Sequence, residues 1–386
     1  MKRVSIERCI DYDENNLKTA IKKSFSNLGG IENIIKPGMK VALKPNLIMR
    51  KTPKCAATTH PAFIKAVSDL IIEMGAEPTI IESPGGFYSE NHLKSVYSTC
   101  GLMKVAEETD LKLNYDIEEI DFKNPEAKLL KTVTLIKPLV DADIIINLPK
   151  LKAHGQMAYT GAVKNMFGAV PGIKKVEYHM KMSNYEDFAD AIIDIFLSVK
   201  PKLSIMDAVI GMEGEGPTSG DPRQIGLILA SEDAFALDFT ALTLVSADPE
   251  GVPVINNGIK RKLCPENIDE IEIVGEKLGD VTLKSFKLPQ IDSLKTIQFF
   301  NKWPMKHFIK LLKPKPVFIH DLCSGCENCS KNCPAKIIEI RENRPYADLS
   351  KCISCFCCQE LCPMNAIRIR RSVLSRILIK KNKNKR

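Results

Sequence analysis

Eight cysteines near the C-terminal end of the chain have the spacing of iron–sulfur ligands. They form two runs of the pattern C-x2-C-x2-C-x3-C-P, and the second repeats the first 29 residues later: Cys323, Cys326, Cys329, Cys333, then Cys352, Cys355, Cys358, Cys362. Three thiolates at this spacing can bind three corners of a cubane, while the fourth cysteine, turned away by the proline after it, reaches the other cluster. The pattern predicts two [4Fe–4S] clusters.

The expected ligands of each cluster come from both runs. C-x2-C pairs also form zinc sites, but zinc would need two pairs of ligands rather than two triplets, each followed by Cys-Pro. We expect Cys357 to be no ligand, because only one residue separates it from Cys355. The predicted sets are Cys323, Cys326, Cys329 and Cys362 for one cluster, and Cys352, Cys355, Cys358 and Cys333 for the other.

A second group of candidate residues lies in the middle of the chain. Lys150, Lys152 and His154 alternate, so an extended backbone would place them on one face, where they repel each other unless an anion lies between them. Lys164 and Asn165 follow in a glycine-rich stretch suited to close ligand approach. The alternative is a solvated edge strand protected by lysines. If Lys150, Lys152, His154 and Lys164 line one anion-binding pocket, Lys152→Ala should abolish activity or ligand binding while iron content and stability stay nearly unchanged, because loss of a surface lysine usually costs under ~0.5 kcal/mol.

Two further loops carry polar residues. Lys44 and Asn46 end a predicted strand and His60 precedes a helix, so together they offer an anion a cation, an amide and free backbone N–H groups. Asp207 and Glu213 belong to a glycine-rich loop whose carboxylates could bind a metal, accept a proton or pair with the lysines. Each loop alone also fits an ordinary turn.

Two resemblances follow from these motifs. Residues 321–371 resemble the bacterial two-[4Fe–4S] ferredoxin domain, which implies a small α+β fold. Residues 3 to 290 resemble the domain-of-unknown-function family 362 (DUF 362), which implies an iron–sulfur protein but supplies no reaction. The motifs are KPNL at Lys44, THP at Thr59, ESPGG at Glu82, LPKLKAH at Leu148, TGAVKNMFG at Thr160 and GMEGEGP at Gly211. The family's motif residues correspond here to Lys44, Asn46, His60, Lys150, Lys152, His154, Lys164, Asn165, Asp207 and Glu213.

Strand and helix patterns alternate through the first three quarters of the chain, which is typical of an α/β domain with a mostly parallel open sheet and flanking helices. We predict this domain over residues 1–287. A lysine- and proline-rich connector over 288–320 leads to the ferredoxin domain at 321–371, and a basic tail occupies 372–386.

Composition limits the class of protein. Of the 13 cysteines, the five outside the runs are scattered, which favours a reducing cytosol over a disulfide scaffold. The net charge of +8 comes from the end of the chain, where residues 368–386 hold nine Lys or Arg and no acid. The body is near neutral, so nucleic acid is not an expected partner. No apolar stretch of about 20 residues is present, and we predict a cytoplasmic protein.

These observations predict an iron–sulfur oxidoreductase. Electrons would pass between the clusters and an anionic substrate or cofactor held by the lysines, with His154 or a carboxylate of the glycine-rich loop moving protons. A redox partner protein is expected. The alternative is a non-catalytic electron-transfer or partner-docking protein. The basic tail suits weak contact with an anionic membrane surface.

Overall fold

The computed structural model describes residues 2–182, 184–289 and 314–370. Twelve strands lie in the described part of the larger, N-terminal α/β domain. They are β1 (Lys2–Arg8), β2 (Lys40–Pro45), β3 (Glu77–Ile80), β4 (Lys112–Leu113), β5 (Glu119–Lys123), β6 (Thr132–Ile136), β7 (Ile144–Leu148), β8 (Lys150–His154), β9 (Ala158–Thr160), β10 (Leu203–Glu213), β11 (Asp221–Ser231) and β12 (Ile271–Gly275).

Ten of these strands form one twisted sheet. Eight follow the order β12-β1-β11-β10-β7-β2-β3-β4, while β8 pairs with β10 and β9 pairs with β8. Most neighbouring pairs are parallel, and β11 is antiparallel to both β1 and β10. Strands β5 and β6 form a separate antiparallel pair. The predicted α/β fold with a mostly parallel sheet is confirmed.

Helices cover both faces of the sheet because alternate strand residues point to opposite sides. Ile228 packs with helices α1 and α2, whereas its neighbour Leu229 packs with α8 and α9. The helices are α1 (Glu14–Asn27), α2 (Pro61–Glu73), α3 (Glu90–Thr99), α4 (Leu102–Glu108), α5 (Lys137–Val140), α6 (Ala162–Asn165), α7 (Lys174–Lys181), α8 (Tyr185–Val199), α9 (Ala234–Leu244), α10 (Pro253–Lys260) and α11 (Leu278–Val281). None of the described helices is long and apolar enough to cross a membrane.

The C-terminal domain is small and pseudo-symmetric. It contains β13 (Lys315–Phe318), α12 (Asn328–Lys331), β14 (Ile338–Arg341), β15 (Arg344–Ala347), α13 (Cys357–Glu360) and β16 (Ile367–Arg370). Strand β13 pairs antiparallel with β16, so the compact part already includes residue 315, inside the stretch predicted as a connector. The basic tail from 372 lies outside the described residues.

Candidate functional site

The eight cysteines of the two runs line two separate cavities in the C-terminal domain. The first cavity has an empty volume of about 400 Å³ and contains Cys323, Cys326, Cys329 and Cys362 in its wall. The second, of about 370 Å³, is lined by Cys333, Cys352, Cys355 and Cys358. Each set takes three cysteines from one run and the fourth from the other, which is the arrangement that the spacing predicts.

The surroundings of these cysteines suit an iron–sulfur cluster. Backbone N–H groups lie near the sulfurs: Gly325 N is 3.4 Å from Cys323 Sγ, Ser354 N is 3.4 Å from Cys352 Sγ, and Ala366 N is 3.2 Å from Cys362 Sγ. Such donors stabilise the negative charge of thiolate ligands and tune the reduction potential of a cluster. The residues present therefore fit [4Fe–4S] clusters.

Cys357 lies outside both ligand sets. Cys357 instead lines a third cavity, on the side of α13 that faces the α/β domain. A hydrogen bond to Cys355, together with burial, raises the pKa of the Cys357 thiol well above its usual range.

We therefore expect Cys357→Ala to keep its full iron content, whereas Cys358→Ala should lose the iron of one cluster, because only Cys358 is one of the four cysteines that line a cluster cavity. Iron and sulfide analysis of anaerobically purified proteins checks this. Equal iron loss in the two variants would contradict the ligand assignment.

The C-terminal domain binds the loop that follows β10. Arg368 Nη1 lies 3.2 Å from the Glu215 carboxylate, and Gln359 Nε2 donates to the Glu215 carbonyl at 3.0 Å. Thr218 Oγ1 donates to the carbonyl of Glu360 at 3.1 Å. The carboxylates of this glycine-rich loop were predicted to bind a metal, accept a proton or pair with lysines, and in the structure the loop also contacts the C-terminal domain through Glu215 and Thr218.

Glu213, the carboxylate predicted to be catalytic, lies apart from the third cavity. It accepts the backbone N–H of Lys287 at 3.1 Å, and its other oxygen is 3.5 Å from Lys287 Nζ. Glu213 is the last residue of β10, so it belongs to the strand rather than to the loop that follows it. Its contacts fix the residues that follow α11, so the structure assigns it no place beside a ligand.

The third cavity is a cleft between the two domains with an empty volume of about 750 Å³. The α/β domain contributes its lysines and glycine loops, and the C-terminal domain contributes α13. Its lining includes five of the predicted residues and several that the sequence did not single out. The predicted ones are Asn46, Lys152, His154, Lys164 and Asn165; the others include Glu82, Thr160, Lys175, His179, Cys357 and Glu360.

Lys152 is held in the cleft by two neutral oxygens. Its Nζ donates to Asn46 Oδ1 at 2.6 Å and to the Ala57 carbonyl at 2.7 Å, while Asn46 donates in turn to Asn165 Oδ1 at 2.9 Å. Burial, with help from nearby Lys164, lowers the pKa of Lys152 to about 7. These two oxygens therefore orient the Lys152 amine, which forms no ion pair with a carboxylate of the described residues.

His154 faces Glu360 across the domain interface. The backbone N–H groups of Gln156 and Met157 both donate to His154 Nδ1 at 3.2 Å, so the proton of the neutral ring lies on Nε2, which is 3.1 Å from Glu360 Oε1. Burial and Lys164 lower the pKa of His154 to about 4, although Glu360 opposes the shift. His154 is therefore neutral near pH 7: its Nδ1 accepts two backbone N–H groups, and its Nε2 lies 3.1 Å from a Glu360 oxygen that has no hydrogen-bond partner among the described residues.

Lys164 is the cation of the cleft with fewest partners. Its Nζ lies 5.9 Å from the centre of the Phe167 ring, and within the described ranges it forms no hydrogen bond or ion pair. Burial lowers the pKa of Lys164, while Glu360 opposes this. The hydroxyl of Thr160, a fully buried neighbour in the lining, also has no partner among the described residues. These two groups can donate to a bound anion.

Lys150 points away from the cleft, although it alternates with Lys152 and His154. Its Nζ donates to Asp207 Oδ2 and to the Tyr12 hydroxyl, both at 2.7 Å. The pairing of β8 with β10 is irregular: Lys150 pairs with Asp207, but Lys152 pairs with Met212. This shift separates Lys150 from the other two, so the expected face of three basic residues is not formed.

Asp207 and His60 belong to the same buried cluster as Lys150. The backbone N–H of His60 donates to Asp207 Oδ2 at 3.0 Å, and the His60 ring stacks on Tyr12 with centres 3.6 Å apart. His60 Nδ1 accepts the N–H of Ala62 and so caps α2. Neither residue lines the cleft, so their predicted cofactor contacts are not supported by position.

Lys44 lies directly behind the cleft wall. Its Nζ is 2.5 Å from Glu82 Oε2 and also donates to the carbonyls of Pro45 and Asn165. Gly168 packs against this pair, since a Cβ there would lie 2.2 Å from the Glu82 carboxylate. Glu82 therefore lines the cleft as a carboxyl group that is already paired with Lys44.

The charges around the cleft favour an anion. Three lysines line the cleft, Lys152, Lys164 and Lys175, against the carboxyl groups of Glu82 and Glu360, and Glu82 is paired with Lys44. Lys175 donates to Ser83 and Pro84 oxygens, and burial lowers its pKa to about 7. A bound anion would favour the protonated form of these lysines.

Comparison with known proteins agrees with this architecture. Residues 41–243 match the family described as "Domain of unknown function (DUF362)", and residues 315–363 match the "4Fe-4S dicluster domain". A thylakoid-associated protein of Synechocystis sp. is 31% identical over 329 residues, which cover 83% of this chain and 98% of the relative. The chain belongs to the DUF362 family.

Two solved structures were matched to part of this DUF362 member. The lactate racemase apoprotein from Thermoanaerobacterium thermosaccharolyticum is 9% identical, with a TM-score of 0.39 over 64% of this chain and 57% of the racemase. A protein from Thermotoga maritima is 13% identical, with a TM-score of 0.34 over 57% of this chain and 56% of that one. The match covers less than two thirds of either protein.

Three cleft residues of this DUF362 protein escaped the sequence analysis. His179 and Lys175 lie on α7, whose sequence KKVEYHMK has the polar composition of a solvent-exposed helix. Glu360 lies inside the second cysteine run, which the sequence analysis interpreted only as a set of cluster ligands. Its partner His154 is 206 residues away, so no local spacing connects them. The ESPGG motif contained Glu82, but its buried ion pair with Lys44 gives no sequence signal.

Proposed function

We propose that this DUF362 protein holds two [4Fe–4S] clusters and is an oxidoreductase that transfers single electrons between them and an anionic small molecule bound in the cleft. When bound, the clusters supply one-electron chemistry at a potential set by the protein. The α/β domain supplies the binding groups. Lys164 and Lys152 attract the negative group of the ligand, and the Thr160 hydroxyl donates to it.

The position of α13 carries this proposal. This helix belongs to the second cysteine run, and it also forms one wall of the cleft: Cys357 and Glu360 line the cleft while Cys358, next in sequence to Cys357, lines the second cluster cavity. A ligand in the cleft would be separated from the cluster by little more than this helix wall. A domain that only bound a ligand, without electron transfer, would not need a helix that lines both the cleft and the cluster cavity.

The first cluster cavity offers an entry point for electrons. Cys326 is exposed, and two large apolar side chains stand in solvent beside it: Leu322 is 47% exposed and Met364, which lines the cavity, is 51% exposed. Aromatic residues, methionine and other apolar groups at a surface are typical of protein contacts. We propose that a redox partner protein approaches there and that electrons pass from the first cluster to the second.

Native mass spectrometry of the anaerobically purified protein tests the proposal. We expect about eight iron atoms per chain, because two cubanes are implied by two ligand sets, together with a non-covalently bound small anion that is lost on denaturation. Near four irons would contradict the cluster count. A protein that carries eight irons and no small molecule, under conditions where it accepts electrons from a partner, would favour the non-catalytic electron-transfer alternative.

We further propose a cytoplasmic location with peripheral contact to an anionic membrane through residues 372–386. The name of the Synechocystis relative records an association with thylakoids, and the basic composition of the tail suits such contact. Liposome flotation should show salt-sensitive binding to vesicles that contain anionic lipid. Truncation at Ser372 should abolish this binding, and flotation that is unaffected by salt or truncation would contradict the role of the tail.

A further inference from the structure

His179 is an imidazole at the cleft wall with an unused ring nitrogen. The residue is 6% exposed, and its Nδ1 has no hydrogen-bond partner among the described residues. Its ring packs on Phe188 with centres 4.4 Å apart and meets the edge of Phe167 at 5.9 Å. These two rings fix the orientation of a side chain that lines the ligand cleft. A buried polar atom without a partner is costly, so its place in the cleft points to a ligand-directed role.

The other imidazole of the cleft is not equally available. His154 accepts two backbone N–H groups at Nδ1 and faces Glu360 with Nε2. Those contacts hold the ring between its own loop and the C-terminal domain, so His154 is a positioning residue for Glu360. His179 is left as the imidazole that can exchange a proton inside the cleft.

We infer that His179 takes up a proton when an electron reaches the second cluster and then gives this proton to the ligand in the cleft. The inference rests on the proposed function. A one-electron donor protein supplies each electron, and water in the cleft supplies each proton to the imidazole. Reduction of the ligand by two electrons then needs two such cycles, and each cycle adds one electron and one proton, so charge and atoms balance.

The charged groups that face His179 determine its protonation state before the cluster is reduced. Glu360 approaches from α13, Lys164 from α6 and His154 from β8, while Lys152 and Lys175 line the same cleft. Burial first, and then Lys164 and His154, lower the pKa of His179 to about 4, although Glu360 opposes them. His179 is therefore neutral near pH 7 before reduction. An added electron nearby is a negative charge, which raises the pKa of the imidazole and favours proton uptake.

Redox titration of the clusters between about pH 5 and pH 7 tests the inference without any ligand. Protonation stabilises the reduced form, so the reduction potential of one cluster should fall as the pH rises, with a slope approaching the 59 mV per pH unit that one proton per electron gives. His179→Gln should abolish the slope in this range. His92→Gln, a half-buried histidine outside the cleft, should keep it.

Two results would overturn the inference: a wild-type potential that does not change with pH, or an unchanged slope in His179→Gln. Electron paramagnetic resonance at each potential confirms that the variants hold both clusters. Failure here is distinct from failure of the proposed function, which depends on ligand binding through Lys164. If Lys164→Met loses the ligand while His179→Gln keeps the slope, the cleft remains the binding site and only the proton role is wrong.

Discussion

Replacing Lys164 with methionine is expected to weaken ligand binding by about 10- to 100-fold while iron content and thermal stability stay near wild type. A hydrogen bond to a charged group contributes about 1.5–3 kcal/mol, and about 1.4 kcal/mol corresponds to a factor of ten in affinity. Among the described residues Lys164 contacts the Phe167 ring and interacts with the charge of Glu360, but it forms no hydrogen bond or ion pair, so its removal leaves no hydrogen-bonding group without its partner. Methionine fills a similar volume beside Phe167.

The measurement is calorimetric titration with the small molecule released from the wild-type protein. Lys174→Met is the matched control, because Lys174 lies on α7 outside the cleft and pairs with Glu119 at 2.6 Å. It should bind the ligand as the wild type does. Equal binding by Lys164→Met and wild type would remove Lys164 from the site.

Lys152 is a less suitable position for this test, contrary to the sequence-based expectation. It is not a surface lysine: its side chain is fully buried, and its removal leaves Asn46 Oδ1 and the Ala57 carbonyl without their donor. Each unsatisfied buried group costs about 1–3 kcal/mol. Loss of function in Lys152→Ala would therefore come with loss of stability, and the two effects could not be separated.

Asp207→Ala is expected to reduce the free energy of unfolding by about 3–5 kcal/mol, the usual cost of breaking a buried ion pair. The Asp207 carboxylate accepts from Lys150 Nζ, the Tyr12 hydroxyl and the His60 backbone N–H. Alanine would leave the Lys150 ammonium buried without its counter-charge, and the groups around it would lose their acceptor.

Urea unfolding of the anaerobic protein measures this loss. Glu77→Ala is the control, since the pair of Glu77 with Lys112 is exposed, and exposed ion pairs contribute little to stability. It should unfold at the wild-type midpoint. If Asp207→Ala also unfolds there but loses ligand binding, the cluster of Lys150, His60 and Asp207 would be functional rather than structural, as the sequence motifs first indicated.

The grouping of the eight cysteines around two cavities was predictable because their spacing is local. Two residues between successive cysteines set the distance between thiolates, and the proline after the fourth redirects it, whatever the rest of the chain does. The alternation of strands and helices was predictable for the same reason, because apolar patterns such as those of Thr132–Ile136 and Tyr185–Val199 lie within single elements.

The cleft was only partly predictable because it depends on distant pairing. Alternation in β8 correctly placed Lys152 and His154 together, but the irregular register with β10 turned Lys150 towards Asp207. Glu213 was assigned to the site because it belongs to a glycine-rich stretch. In the structure this stretch contacts the C-terminal domain through Arg368 and Gln359, which lie far along the chain. No spacing within the sequence encodes such contacts.

Stopped-flow spectroscopy of the chemically reduced protein tests the central claim most directly. The reduced clusters are mixed anaerobically with the small molecule released from the wild-type protein, and the return of their visible absorbance reports electron transfer to the ligand. We predict that the absorbance returns in wild type and in Lys174→Met, and much more slowly in Lys164→Met at the same ligand concentration. No return in wild type, or an equal rate in Lys164→Met, would contradict electron transfer to a ligand in the cleft.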